Sequence, residues 1–365
     1  MKQNSASTIS KAFVIINYLL LDAFGTAQKI WPFSQGQRYQ TRLAISCEPL
    51  VHTRLDPLSS FNATCSDHIH MVYGNKAFRS GIDFDDINRK STTCNAKNDF
   101  SSYWSPALYS RNENGTLHLV PLMKNTVYYQ TTLTSAPEGT GLTRPFKKDF
   151  RMKGGNFHVN PANPVIPDNN FTYTTWQCGN DYGYKSQHVA SYLDLMKYNG
   201  TCNSWVMARI KFPDCIKDYK DDRDGVTPGK YAYSKPNNGV CPSSHPHRLP
   251  LLQLNQQYNM TGLDFDQLVL SNGDTTGLSM HGDFIAGWKP SILETALLNC
   301  KFNPAETGRW HGDNCTETNP EGNIITHPLP FRKHTPKYEA TFPDEEVDGI
   351  SEFPRGVGNC SESHD

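Results

Sequence analysis

Ten cysteines, from Cys47 to Cys360 and none earlier, constrain this chain more than any other feature of its sequence. An even number at irregular spacings, with no C-x-x-C pair, is the pattern of a disulfide framework rather than of a zinc ribbon or finger. Such a framework belongs to an oxidising compartment. The N-terminus agrees: Lys2 and Lys11 precede the apolar run Ala12 to Leu21, and small residues follow at Ala23, Gly25 and Ala27. This reads as a secretory signal over residues 1–27, cleaved near 25 to 27. A retained membrane anchor is the competing reading, but Asp22 ends the apolar run too early to span a bilayer. No later stretch has the length of a membrane span, and the acidic C-terminus lacks the hydrophobic tail of a lipid-anchor signal. The expectation is a secreted, extracellular protein with no membrane span after cleavage. Seven N-x-S/T sequons, at Asn62, Asn114, Asn170, Asn199, Asn259, Asn314 and Asn359, predict N-glycosylation.

Between Cys47 and Ser271 the apolar residues fall in short runs bounded by Pro, Gly, Asn and Asp. Leu117–Leu122, Thr126–Leu133, Ser204–Phe212 and Leu263–Leu270 have the length and alternation of strands. With 11% aromatic and only 19% charged residues, the chain suits a loop-rich β protein rather than a helical bundle. The predicted fold is mainly β, a disulfide-bonded β-sandwich or jelly roll with a few short helices, forming one domain over 28–300. Ser291–Cys300 carries a helical apolar face with Ser291 and Glu294 in capping-box positions, and would pin Cys300 to a disulfide. Gln187–Tyr198 is a weaker helix. Residues 301–365, rich in Pro, Gly, Asn and Glu, read as a loop-rich tail. No repeat period is visible. A net charge of -1 offers no positive field for nucleic acid, which is excluded as a partner.

Eight motifs in order resemble a large, mainly fungal family of secreted proteins. It is catalogued as a domain of unknown function and sometimes fused to WSC carbohydrate-binding modules. They are RLDP (Arg54 to Pro57), DHIHMVYGNKAF (Asp67 to Phe78), DFSSYWSPALY (Asp99 to Tyr109), VYY (Val127 to Tyr129) and FRM (Phe150 to Met152). FPDC (Phe212 to Cys215), CPSSHPHRLPLL (Cys241 to Leu252) and GDTTGLSMHGDFIAGW (Gly273 to Trp288) complete the set. The resemblance spans Cys47 to Trp288 and implies secretion and a single domain, but no reaction. Where the family reads C-W-D-G, this chain has Cys215, Ile216, Lys217 and Asp218; where it reads S-H-V-A-Y-P, this chain has Gly229 to Ser234. A Trp and a His are thus replaced, which points to altered activity or a binding-only relative.

Several side chains have chemistry to offer. On a strand, His68 and His70 would share a face and could reach one divalent metal, an ion that is compatible with the sequence but not required by it. Packing or a backbone hydrogen bond is the plainer role for both. His70, His245, His281 and Asp283 are candidate catalytic groups, with His281 as base and Asp283 to orient it or act as acid in a Gly-rich loop. Arg151 and Arg248 could hold an anionic group, His245 and Arg248 belonging to the H-P-x-R stretch. Trp104, Tyr103 and Trp288 could stack on sugar rings. Asp274 could equally cap a turn. Asp221, Asp222 and Asp224 fail as a calcium loop because Lys220 and Tyr231 stand where the first and twelfth ligands belong. Together these features predict a secreted glycoprotein acting on extracellular polysaccharide, as a hydrolase or lyase. The alternative is a non-catalytic glycan-binding protein of the matrix or cell wall.

Overall fold

The structure is a computed structural model that describes residues 42–59, 65–87, 91–96, 98–131, 143–165, 172–219, 229–234, 239–299 and 347–354. All of them belong to one unit, Tyr39–Asp365. The signal segment, the acidic run 221–224, Cys300 and the sequons at Asn62, Asn170, Asn314 and Asn359 lie outside the described residues.

Two antiparallel sheets dominate. The larger has six strands in the order β1 (Arg42–Ser46), β7 (Leu122–Gln130), β15 (Leu251–Asn259), β11 (Trp205–Lys211), β9 (Thr174–Asn180) and β10 (Gly183–Tyr184). The second has five: β2 (Pro49–Thr53), β3 (His70–Gly74), β4 (Ser102–Pro106), β17 (His281–Ile285) and β8 (Arg151–Gly155). Two three-stranded sheets flank them. One places β12 (Cys215–Ile216) between β13 (Tyr231–Ala232) and β14 (His247–Arg248). The other places β5 (Leu108–Arg111) between β16 (Leu268–Leu270) and β6 (Leu117–Leu119).

Alternation along each strand sends every second side chain to the same face. Val127, Tyr129, Ile210, Leu252 and Leu254 of the larger sheet meet Met71, Tyr73, Tyr103, Met152 and Phe284 of the smaller one in a common core. This is the expected mainly β sandwich. A polar bridge crosses the same interface: the fully buried Gln256 amide donates to Tyr73 Oη at 2.6 Å and Ser105 Oγ at 2.7 Å, and its carbonyl accepts from Tyr258 Oη at 3.0 Å. A buried amide so satisfied fixes the register of two sheets without an orphaned dipole. Where β8 and β17 run side by side, Gly154 faces Gly282 in register. A Cβ at Gly154 would stand 2.4 Å from the Phe212 ring, so the absence of side chains lets that ring lie against the sheet.

Differences from the sequence reading have local causes. Leu117–Leu122 is split into β6 and the first residue of β7, because Pro121 cannot donate to a ladder. Leu263–Leu270 is a strand only over its last three residues. Phe265–Gln267 forms a 3-10 turn, entered at Asp264, whose N–H donates to Gln267 Oε1 at 2.8 Å. In Gln187–Tyr198 only Tyr192–Tyr198 is helical, again 3-10, with the Ser191 hydroxyl accepting from Leu193 N–H at 3.1 Å. Besides the single-turn helix α1 (Phe84–Ile87), one longer helix α2 (Pro290–Asn299) begins at the proline, which needs no amide partner there, rather than with Ser291 as cap. No helix among the described residues is long and apolar enough to cross a membrane.

Cys47–Cys94, Cys178–Cys202 and Cys215–Cys241 are disulfides, and Cys65 is disulfide-bonded as well. Within the stretch expected to be a loop-rich tail, the described residues Val347–Pro354 have no regular element beyond one bridge, yet they dock on the domain. Ile350 exchanges backbone hydrogen bonds with Leu117, Tyr109 Oη donates to Val347 C=O at 2.7 Å, and the Phe353 ring lies 5.0 Å from that of Tyr109.

Candidate functional site

The outward face of the five-stranded sheet, opposite the common core, changes character along its length. One part is a small apolar cluster of Leu58, Val72, Ile82, Ile87, Trp104 and Ile285. By alternation in β3 and β17, the face that carries Val72 and Ile285 also carries His70, His281 and Asp283. Lys153 of β8 is paired with Asp283 in register. His281 and Asp283 are therefore fixed by a strand, not by a pliable loop as the glycine content suggested. Asp274, upstream, closes that turn: its carboxylate accepts from Thr276 N–H and Oγ1 and from Ser279 N–H and Oγ, all at 2.6–2.8 Å.

His68 lies in the bend before β3 rather than on the strand, yet the pair still converges, with ring centroids 4.3 Å apart. The His281 ring is 5.6 Å from that of His68. One ring nitrogen from each of the three lies within 4.8 Å of the other two. The three Nδ1 atoms are all engaged. Nδ1 of His70 meets Leu55 C=O at 3.1 Å, Nδ1 of His281 meets Ser279 C=O at 2.8 Å, and Nδ1 of His68 meets Asp67 Oδ1 at 2.6 Å. A carbonyl oxygen only accepts, so His70 and His281 must carry their protons on Nδ1, and the Asp67 carboxylate imposes the same on His68. Each Nε2 then presents a lone pair. Among the described residues, Nε2 of His68 and of His70 is buried with no hydrogen-bond partner.

Charged groups crowd this point. Lys153 Nζ is 3.4 Å from Asp283 Oδ1 and 3.8 Å from Asp56 Oδ2, and Asp283 Oδ2 is 3.8 Å from His281 Nε2. Burial, then the neighbouring His68, drives the His70 imidazole well below its ordinary pKa and that of His281 down to about 3. Burial pushes Asp283 up to about 7 even though Lys153 opposes it. At Asp56 burial acts in the same direction, but Lys153 and His70 outweigh it and hold the carboxyl well below the carboxylate range. Asp67 is held low by its hydrogen bond with His68. Burial would discharge Lys153, but Asp283 and Asp56 keep its pKa above the ordinary lysine value.

Of the sequence candidates, His68, His70, His281 and Asp283 are brought together, and the others are used elsewhere. Arg151 is buried, donating to Pro57 C=O at 3.0 Å, to Ile82 C=O at 2.6 Å and to Asp149 at 3.2 Å, so it clamps loops rather than facing a ligand. Arg248 pairs with buried Asp214 at 2.7 Å. His245 sits in a turn, its Nε2 meeting Gly229 C=O at 2.8 Å. Trp104 and Trp288 are buried against Phe78 and Tyr129, and Tyr103 is buried too, so none offers a face for stacking. Lys153, Asp56 and Asp67 went unremarked in the sequence. Asp56 and Asp67 stand inside the RLDP and DHIH motifs, and Lys153 lies two residues past Arg151.

No curated protein and no solved structure shows a significant match to the chain. A family model described as a domain of unknown function, DUF1996, matches residues 56–288, a span that begins at Asp56, ends at Trp288 and contains the whole polar cluster. That span is more than half of the chain, and this protein therefore belongs to the DUF1996 family.

Proposed function

We propose that this is a secreted glycoprotein that acts on extracellular polysaccharide, by hydrolysis or by lyase-type elimination, at the cluster of His68, His70, His281, Asp283 and Lys153. One observation carries the reading: four polar side chains chosen from the sequence for their chemistry converge, largely buried, on the outward face of one sheet. Packing alone gives no reason to bury them, since imidazole nitrogens lacking hydrogen-bond partners lower stability. Elimination needs a proton acceptor and a positive group beside the developing negative charge, whereas hydrolysis needs an acid and a carboxylate flanking a positively charged, oxocarbenium-like transition state. Lys153 supplies the charge at the cluster that had been assigned to Arg151 and Arg248. The signal segment, sequons and disulfides support the extracellular setting.

The test is to incubate the secreted protein with neutral and acidic extracellular polysaccharides, with and without added divalent metals, and to examine products by mass spectrometry. Saturated new ends mean hydrolysis, and unsaturated ends mean elimination. Intact polymers under every condition, together with retention of the protein on immobilised polysaccharide, would replace this reading with that of a glycan-binding matrix or wall protein.

A further inference from the structure

We propose that His68, His70 and His281 form a binding centre for one divalent first-row transition ion of the zinc class, held through their three Nε2 atoms. The inference deepens the reading above by naming the cofactor of the same cluster. Its first support is the tautomer argument. With Nδ1 of each ring tied to Leu55 C=O, Ser279 C=O or Asp67, three lone pairs are directed into one small space. Edge contacts between the rings account for their packing but leave those lone pairs facing one another. A Lewis acid resolves this. In a tetrahedral site with bonds of about 2.1 Å, ligand nitrogens stand about 3.4 Å apart. The three ring nitrogens lie within 4.8 Å of one another, so ion binding would draw them closer together.

The second support is the surround. Imidazole ligands to metals characteristically give their other N–H to a carboxylate or a backbone carbonyl, which orients the ring and raises its basicity. All three do so here. Three nitrogens and no oxygen suit zinc, copper, nickel or cobalt and not calcium or magnesium, which take oxygen donors. The set holds three donors, leaving a fourth position as in catalytic rather than structural zinc sites. His68 and His281 each keep about 10% of the side chain exposed, so the centre lies just beneath the surface, within reach of an ion.

The test uses the full chain, purified from a secreting host without chelators, with metal content read by plasma mass spectrometry. The expected result is one ion per chain, restored after removal by dialysis against zinc or cobalt, the cobalt form showing the visible bands of a four-coordinate ion. His281→Gln, with a folded circular-dichroism spectrum, should lose the ion, and His245→Ala should keep it. Should His281→Gln fail to fold, Asp67→Asn serves, because the Asp67 side chain is 70% exposed. It replaces the charge-assisted hydrogen bond to His68 Nδ1 with a neutral one and should weaken zinc binding about 10- to 100-fold. Wild-type protein that carries no stoichiometric ion and takes up none of the four metals would overturn the proposal, as would a folded His281→Gln that retains its ion. Neither readout needs a substrate. A bound ion without polysaccharide turnover removes the activity reading alone, and turnover without a bound ion removes the metal centre alone.

Discussion

Lys153 is the residue on which the electrostatics of the site turn, since it is the cation between Asp56 and Asp283. Removing one partner from a buried ion network leaves the others uncompensated, at a cost of about 3 kcal/mol. Lys153→Met should show that loss in urea unfolding of the metal-free protein, and a second change, Asp283→Asn, should recover part of it. A larger loss in the double variant would mean that Lys153 contributes through packing. His52 makes a separate prediction away from the cluster. Burial lowers its pKa to about 4 against the nearby Asp348, which works in the opposite direction. A folded pKa below the unfolded one stabilises above about pH 6.5, and that contribution is lost as pH falls toward 4. Between pH 7 and pH 5 the loss is about 2 kcal/mol. His52→Asn should remove this part of the slope in denaturant titrations at the two pH values, and an unchanged slope would locate the acid sensitivity elsewhere.

Among the elements, the short segment Val347–Pro354 stands out because it closes the free edge of β6. Ile350 supplies the missing backbone partner of Leu117, and Phe353 packs on Tyr109. Phe353→Ala should therefore destabilise the protein by about 3 kcal/mol in thermal or urea unfolding, whereas a residue in a solvated tail would change almost nothing. The sequence concealed this. Eight residues with three apolar side chains, in a region dominated by Pro, Gly, Asn and Glu, carry no periodicity that reveals a docking site. Strands with their own signal, such as β11 within Ser204–Phe212, were legible. Short apolar runs were ambiguous, as at Phe265–Gln267, where a capping interaction outweighed β propensity. The candidate site was partly legible for a related reason. H-x-D puts His281 and Asp283 on one face of β17, a local property, whereas the bend that brings His68 to His70 and the pairing of β17 with β8, which delivers Lys153, leave no local trace. Trp104 and Trp288 misled because aromatic residues are used for cores as readily as for ligand faces, and one chain does not distinguish the two.

For the whole molecule, the sandwich makes one outward face apolar and charged beneath a covering chain and leaves the loops to meet solvent. Asn114 and Asn199 are exposed in such loops, while Asn259, at the end of β15, is half-buried. Peptide mapping after glycan removal should find the first two occupied when the protein is made in a secreting eukaryotic host. Unmodified Asn114 and Asn199 peptides would count against passage through that pathway. The position of Val347–Pro354 has a consequence for biogenesis. The partner of β6 is encoded more than two hundred residues after it, so the β6 edge stays open while the intervening chain is made. A nascent chain would offer that strand to chaperones until its final segment emerges. Synthesis that stops before residue 347 would yield molecules with an unpaired β6 edge, open to pairing with other chains.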